Sequence, residues 1–262
     1  MKAVILAGGL GTRISEETAV RPKPMVEIGN MPIIWHIMKT YESFGVTEFI
    51  VLCGYKSQII KDFFINYSHR QSSIEVDLNN GSVQHLSPTV EKWNVKLIDT
   101  GESTMTGGRL KRAKEFLNGE TFFLTYGDGV SNVDINSLLA THQADRSLVT
   151  LTAVQPPGRF GALVLGDRQT KVTQFQEKTE GDGAWINGGY FVVEPEALDF
   201  IDGDETSWEQ EPLAKIAKAG KLSAYKHRDF WQPMDTLRDK NYLESLWLHG
   251  QVSWKIWKES GI

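Results

Sequence analysis

Near its start the chain carries the stretch Lys2-Ala-Val-Ile-Leu-Ala7, followed by Gly8-Gly-Leu-Gly-Thr-Arg13. Its first half is an apolar run with the length of a buried strand, and its second half is a glycine-rich loop. Glycines at a strand end let backbone N–H groups approach phosphate oxygens, and Arg13 adds a fixed charge that can donate two hydrogen bonds to phosphate. Taken alone, the stretch fits a tight turn with a solvated arginine equally well.

Two common phosphate-binding motifs are absent from this loop. A dinucleotide fingerprint would need a glycine at the position of Ile14, and no Gly-Lys-Ser/Thr of a Walker A loop is present. The loop therefore needs support from the rest of the chain before a ligand can be assigned.

Beyond the loop, apolar runs alternate with helical patterns, which predicts an α/β fold: a Rossmann-like, mostly parallel mixed sheet flanked by helices. We expect one domain over 1–262, with a nucleotide-binding half at 1–130, a second half at 131–240 and a C-terminal helical tail at 241–262. Strands are expected at 2–7, 48–53, 95–99, 121–126, 148–154, 161–165, 172–176, 187–193 and, at an edge, 222–226. Helices are expected at 32–44, 57–67, 109–117, 194–200, 211–219 and 241–248. Residues 66–92 are strand-poor and polar, as in an insertion, a mobile loop or a subunit contact.

Composition excludes several classes of protein. The 262 residues carry 28 Lys and Arg against 33 Asp and Glu, so the chain lacks the basic excess of a nucleic-acid-binding protein. The single cysteine, Cys53, excludes a disulfide framework and a cysteine-based zinc site within one chain, and we interpret it as a buried apolar residue. No apolar run approaches the length of a membrane-spanning helix, so we expect a cytoplasmic protein with no membrane partner.

Two further motifs carry charge. In Arg21-Pro-Lys-Pro-Met25, the prolines keep Lys23 out of a helix, and a stiff lysine near the glycine loop could bind pyrophosphate. Gly127-Asp128-Gly129 follows an apolar strand, where α/β proteins bind ligands. Alone, the first motif fits a proline-rich turn better, and the second fits an Asx turn equally well.

Together, the glycine loop, Arg13 and Lys23 resemble the signature of the nucleoside-diphosphate-sugar pyrophosphorylases, a family of sugar nucleotidyltransferases. The similarity continues through Gly127-Asp-Gly129, Glu177-Lys178, Asn187-Gly-Gly-Tyr190 and Trp231-Gln-Pro-Met-Asp-Thr236. It covers the chain from residue 1 to about residue 240. Within the family, Thr100–Arg112 is similar to the corresponding segment of the cytidylyltransferases that act on glucose 1-phosphate, and it lacks the motif usual in uridylyl and thymidylyl relatives.

The resemblance implies a reaction and a set of site residues. CTP and α-D-glucose 1-phosphate would give CDP-glucose, a precursor of dideoxyhexose and O-antigen sugars, and diphosphate, with Mg²⁺ as cofactor. Catalysis would rest on Arg13 and Lys23, and the metal would be held by Asp128 and Asp235. The nucleotide would be bound by Leu6, Ala7, Gly8, Gly9, Gly11, Thr12, Arg13, Thr104, Arg109 and Gly127. The sugar phosphate would be bound by Lys23, Gly161, Glu177, Lys178, Asn187 and Gly188.

The family also implies a homo-oligomer, for which we expect a trimer or hexamer. Three alternatives stay open. The first is a uridylyl- or thymidylyltransferase of the same fold. The second is a glycosyltransferase, although these enzymes usually carry an Asp-x-Asp motif. The third is a non-catalytic nucleotide-sugar-binding module, which could dispense with the lysines and the second aspartate.

Overall fold

A computed structural model describes residues 1–87, 91–156, 162–165, 172–176 and 184–258. The strands are Ala3–Ala7 (β1), Glu27–Ile28 (β2), Met31–Pro32 (β3), Glu48–Cys53 (β4), Ile74–Asp77 (β5), Ser82–His85 (β6), Asn94–Asp99 (β7), Phe122–Tyr126 (β8), Gly129–Ser131 (β9), Val149–Val154 (β10), Ala162–Leu165 (β11), Val172–Gln176 (β12), Ile186–Val193 (β13), Leu222–Lys226 (β14) and Trp231–Pro233 (β15). The α-helices are Ser15–Thr18 (α1), Ile33–Glu42 (α2), Ser57–Ile65 (α3), Tyr67–Gln71 (α4), Thr106–Leu117 (α5), Ile135–Asp145 (α6), Glu211–Lys218 (α7) and Leu237–Leu248 (α8). Short 3-10 helices cover Thr12–Ile14, Lys23–Met25 and Pro195–Phe200.

Seven strands form the central sheet in the order β14-β10-β13-β8-β1-β4-β7. The pairs β8–β1, β1–β4, β4–β7 and β10–β14 are parallel, whereas β13 runs antiparallel to both of its neighbours. The predicted mostly parallel mixed sheet is confirmed, and so is the edge position of β14.

The apolar run at the start of the chain is buried on both faces of this sheet. Ala3, Ile5 and Ala7 join one core cluster, and Val4 and Leu6 join the other. Side chains of a strand alternate between faces, so a continuous apolar run is what a strand covered on both sides requires. The carboxyl ends of β1 and β8 consequently meet at one sheet edge, where the glycine loop and Asp128 begin.

Four sequence expectations need correction. Lys23, which the prolines were expected to keep out of a helix, begins the 3-10 helix Lys23–Met25, because a proline is tolerated in the first turn, where its missing N–H would have no partner. Helix α5 begins at Thr106 and not at Arg109, so its first turn includes Gly107 and Gly108. These two glycines lie against the backbone of Thr206 and Asp204, where a Cβ atom would come within 2.7 and 2.5 Å, so close packing accounts for glycine inside a helix. Helix α8 begins at Leu237 and not at residue 241. The stretch 66–92 contains helix α4 and the antiparallel hairpin β5–β6, whose exposed strands carry no buried, alternating face.

The C-terminal tryptophans pack within the chain. Trp254 is fully buried, lies against His36 and stacks on Phe230, and Trp247 packs over the Gly29 turn. Trp247 and Trp257 are partly buried against the same core cluster. Across the described ranges, no helix has the length and apolar character needed to cross a membrane.

Candidate active site

Arg109, on helix α5, holds the glycine loop in place through hydrogen bonds. The guanidinium is buried, and its Nη1 atom donates to the carbonyls of Cys53 and Gly101 and to Thr100 Oγ1, at 2.6–3.2 Å. Its Nη2 atom donates to the carbonyls of Gly8 and Glu102, at 3.0 and 3.1 Å. Burial lowers the pKa of Arg109. This side chain therefore fastens three loops that follow β1, β4 and β7.

The loop itself exposes one glycine and turns at another. No atom lies within 4 Å of where a Cβ of Gly9 would be, so backbone there is open to a ligand. Gly11 has φ +64° and precedes the 3-10 helix that carries Arg13. A side chain at Gly11 would be strained in this left-handed conformation and would lie 2.7 Å from Thr18.

Lys23 lies between the two aspartates that the sequence singled out. Its side chain is 8% exposed, and its Nζ atom is 2.7 Å from Asp128 Oδ2 and 2.6 Å from Asp235 Oδ1. Arg13 Nη1 lies 2.7 Å from the other oxygen of Asp235. Two cations and two carboxylates that are distant in sequence are thus brought into one cluster.

A short ladder brings the two aspartates together. Strands β9 and β15 pair antiparallel, with Gly129 opposite Pro233, and the backbone N–H of Met234 donates to the carbonyl of Asp128 at 2.8 Å. Asp128 directly precedes β9, and Asp235 follows the last residue of β15 by two positions. Because the two strands are antiparallel, both aspartates lie at the same end of the ladder.

Asp235 is not the cap of the helix that follows it. Thr236 caps α8 in a capping box with Asp239, whose carboxylate also accepts from the N–H of Asp235 at 3.1 Å. The carboxylate of Asp235 is left for Lys23 and Arg13.

The aspartate pair fits a hard divalent cation. An oxygen of each carboxylate lies within 2.7 Å of Lys23 Nζ, so the two carboxylates are close enough together to hold one divalent cation beside that ammonium group. Mg²⁺ in phosphate-transferring sites is held by one or two carboxylates, waters and phosphate oxygens. Among the described residues, no group of three or more Asp, Glu, His or Cys side chains is placed to hold a metal ion.

Two cavities meet at Arg13, Tyr126 and Asp128. One, of about 330 Å³, is lined by the glycine loop, Lys23, Thr104, Arg109 and Gly127, together with Leu6, Ala7 and Thr12. It collects every residue that the sequence assigned to the nucleotide. The other, of about 360 Å³, includes Asn187, Gly188, Trp231 and Asp235.

Three residues predicted to bind the sugar phosphate, Gly161, Glu177 and Lys178, lie outside the described residues. Asn187 lies on the second cavity, with its Oδ1 accepting from the N–H of Gly189 at 2.8 Å. Its amide nitrogen is 3.4 Å from the Tyr126 hydroxyl.

Sequence reasoning missed several polar residues at these cavities, among them Thr106, Tyr126 and Glu209. Tyr126 closes strand β8 just before the Gly127-Asp128 motif, and that position could have drawn attention to it. Glu209 follows no strand and belongs to no motif, so nothing in the sequence distinguished it from other surface glutamates.

Comparison with known proteins supplies the family. A sequence model described as nucleotidyl transferase matches residues 2–236. The chain belongs to the nucleotidyl transferase family. Glucose-1-phosphate cytidylyltransferase of Salmonella typhimurium is 55% identical to it over 98% of this chain and 100% of its own length. A probable glucose-1-phosphate cytidylyltransferase of Bacillus subtilis is 43% identical over the same shares of both chains.

A solved structure shares this fold. HddC from Yersinia pseudotuberculosis superposes with a TM-score of 0.69 at 24% identity, covering 94% of this chain and 99% of its own. At this identity the likeness establishes the shared architecture.

Proposed function

We propose that this nucleotidyl transferase is a glucose-1-phosphate cytidylyltransferase, which converts CTP and α-D-glucose 1-phosphate to CDP-glucose and diphosphate. The observation that carries the proposal is the 55% identity, over almost the whole chain, to the enzyme of that name from Salmonella typhimurium. In the reaction, an oxygen of the sugar phosphate bonds to the α-phosphorus of CTP as the bond to the bridging oxygen breaks and diphosphate leaves. The nucleophile is already an anion, so no general base is needed.

The chain's own task is to hold two anions in line. Lys23 is suited to lie between the α-phosphate and the incoming sugar phosphate, because it is buried and stiffened by Pro22 and Pro24. Arg13, which is largely exposed at the junction of the two cavities, is suited to the departing diphosphate. These two side chains are the proposed catalytic residues.

Asp128 and Asp235 are the proposed ligands of a divalent cation, for which we propose Mg²⁺. When bound, the cation supplies positive charge that reduces repulsion between the two substrates. The two aspartates would hold it with carboxylates that lie at the same end of the β9–β15 ladder.

The first cavity is the proposed CTP site, with the phosphates over Gly9 and Gly11. Thr104 and Arg109 line it beside Leu6, Ala7, Gly8, Thr12 and Gly127. Because both terminal nitrogens of Arg109 already donate to the protein, we propose that Arg109 shapes this cavity as well as lining it. The sugar phosphate would occupy the second cavity with Asn187 and Gly188, and Gly161, Glu177 and Lys178 are its further proposed ligands.

Diphosphate release tests the proposal. The protein is mixed with Mg²⁺, glucose 1-phosphate and CTP, UTP, dTTP or GTP in turn. Fastest release with CTP is expected, and release that disappears when the cation is chelated. Faster release with UTP or dTTP would overturn the cytidylyl assignment, and no release with any triphosphate would favour the binding-module alternative.

We also propose a single domain over 1–262 that assembles as a homo-oligomer, a trimer or a hexamer. Hairpin β5–β6 supports an assembly, because an isolated two-stranded hairpin is marginally stable in water and this one exposes Ile74, Val76, Leu78 and Val83. Sedimentation velocity of the purified chain tests this: a monomer at micromolar concentration would contradict it. The proposed cytoplasmic location is tested by fractionating cells that produce the protein.

A further inference from the structure

Glu209 stands at the wall of the second cavity and belongs to none of the motifs that point to the reaction. Its Oε2 atom accepts from the hydroxyl of Thr106 at 2.7 Å, and it is also hydrogen-bonded to Tyr126. Thr106 lines the first cavity and Tyr126 lines both. The carboxylate is therefore fixed where the two cavities meet.

The direction of each hydrogen bond follows from the chemistry of the groups. The amide nitrogen of Asn187 and the backbone N–H of Trp208 can only donate, so they donate to the hydroxyls of Tyr126 and Thr106 respectively. Each hydroxyl then has its one proton to donate onward, and both donate to Glu209. Burial raises the pKa of Tyr126, and the charge of Glu209 and the Tyr126–Glu209 hydrogen bond raise it further. The Tyr126 hydroxyl therefore keeps its proton and donates it to Glu209.

A carboxylate held this way has acceptor capacity left. Its two oxygens offer about four acceptor sites, and the two hydroxyls occupy two of them. Glu209 remains exposed on the cavity wall, so the other sites are available to a ligand. Because a carboxylate accepts and is negatively charged, the group it takes is a hydrogen-bond donor, and the donors of a sugar phosphate are its sugar hydroxyls, whereas the phosphate would be repelled.

We propose that Glu209 is a specificity-determining residue, which accepts a hydrogen bond from a hydroxyl of the sugar. The inference rests on the proposed function, because it assigns the sugar phosphate to the second cavity. Thr106, Tyr126 and Asn187 act through Glu209 as positioning residues for that contact. Since the carboxylate excludes phosphate from its side of the cavity, it also fixes which end of the substrate faces the catalytic cluster.

The test compares sugars. Diphosphate release with CTP is measured for glucose 1-phosphate, its 2-, 3-, 4- and 6-deoxy analogues, and galactose and mannose 1-phosphates, using the native chain, Glu209→Ala and Glu209→Gln. For glucose 1-phosphate, we expect kcat/KM to fall about 10- to 100-fold in Glu209→Ala, with KM for CTP changed less than about twofold. For the native enzyme, one deoxy analogue should have a much lower kcat/KM than glucose 1-phosphate. In Glu209→Ala the two substrates should have similar kcat/KM values, because the contact with the missing hydroxyl is already absent.

Glu211→Gln is the matched control. Glu211 is an exposed glutamate two residues away, at the start of α7, where it pairs with Lys215 at 2.8 Å and lines neither cavity. Its sugar preference and rate should equal those of the native chain. Thermal unfolding of all variants identifies any that lose activity by losing the fold, and Glu209→Gln, which keeps the side-chain size, then serves in place of Glu209→Ala.

One result would overturn the inference: Glu209→Ala retains the native ratios of kcat/KM among the deoxy analogues. This holds whether the rates stay native or every substrate slows by the same factor, as a purely structural role would produce. If the native chain releases no diphosphate with any sugar phosphate, the proposed function itself fails, which is a separate outcome from a failure confined to Glu209.

Discussion

Gly8 and Gly9 are neighbours in the loop after β1, yet each is glycine for a different physical reason. A Cβ on Gly8 would lie 2.2 Å from the Arg109 guanidinium, which five hydrogen bonds hold in place. A Cβ on Gly9 would meet nothing within 4 Å. Gly8 therefore serves the packing of the loop, and Gly9 keeps the backbone open.

This difference predicts opposite effects for two alanine substitutions. Gly8→Ala should destabilise the fold by about 1–3 kcal/mol, the usual cost of overpacking, because the buried guanidinium must move. Gly9→Ala should leave stability within about 0.5 kcal/mol and weaken CTP binding, since the methyl group occupies the approach to the loop. Urea unfolding and calorimetric titration with CTP measure the two quantities. Equal stability of the two variants would contradict this account.

The charge of Lys23 and that of Asp128 should each be needed for turnover. We expect Lys23→Ala and Asp128→Asn to lower kcat at least about a hundredfold, as removal of a fixed charge at a transition state does. Diphosphate release at saturating substrates measures this. Arg21→Ala is a suitable control, because Arg21 pairs with Glu27 outside both cavities, and it should retain the native rate. Near-native rates in either active-site variant would place the chemistry elsewhere.

At the scale of elements, the end of the β9–β15 ladder depends on the cap of α8. Thr236→Ala removes the hydroxyl that accepts from the N–H of Asp239 at 3.3 Å and donates to its carboxylate at 2.8 Å. We expect a loss of about 1 kcal/mol in the free energy of unfolding. A fall in kcat/KM should accompany it, because Asp239 also holds the backbone of Asp235.

Urea unfolding and diphosphate release on the same samples check this prediction. Thr236→Ser keeps the hydroxyl and should behave as the native chain. Native stability and activity in Thr236→Ala would show that the capping box supports neither the helix nor the site.

The elements also show how far sequence reasoning extends. Strands β1, β4 and β8 were predicted to within a residue, because a run of apolar residues covered on both faces leaves an unmistakable pattern. Asp128 could be singled out because it follows such a run. The ladder β9–β15 could not be predicted, since strands of three residues have no measurable periodicity. The Thr106–Glu209 contact joins residues 103 positions apart and has no local pattern at all.

At the scale of the whole molecule, the C-terminal tail packs against the N-terminal half, where Trp254 contacts His36. The imidazole is fully buried; its Nε2 lies 2.9 Å from the carbonyl of Ile28, and its Nδ1 accepts from Trp254 Nε1 at 3.4 Å. A carbonyl only accepts and an indole N–H only donates, so this arrangement suits the neutral ring with its proton on Nε2. Burial lowers the pKa of His36 from its ordinary 6.5 to about 4.

This shift predicts a pH-dependent stability. Between pH 6.5 and 4, His36 binds a proton in the unfolded chain but stays neutral in the folded chain. Its contribution to the free energy of unfolding is therefore complete above pH 6.5 and is lost as the pH falls towards 4. The loss should approach about 3 kcal/mol. Urea unfolding midpoints at pH 7 and pH 4.5 measure it. His36→Gln should flatten the difference between them, whereas His249→Gln, at an exposed histidine, should not. An equal pH dependence in all three chains would refute this role.

Cys53 is the single thiol of the chain, it is fully buried at the end of β4, and burial raises its pKa to about 12. Maleimide and disulfide reagents act on thiolates, so the native protein should be unreactive towards them at neutral pH. A cysteine introduced at Leu78, which is 91% exposed at the tip of hairpin β5–β6, would then be the sole labelling point. Fluorophores could be attached there with Cys53 left in place, and energy transfer between differently dyed copies would report directly on how the chains come together.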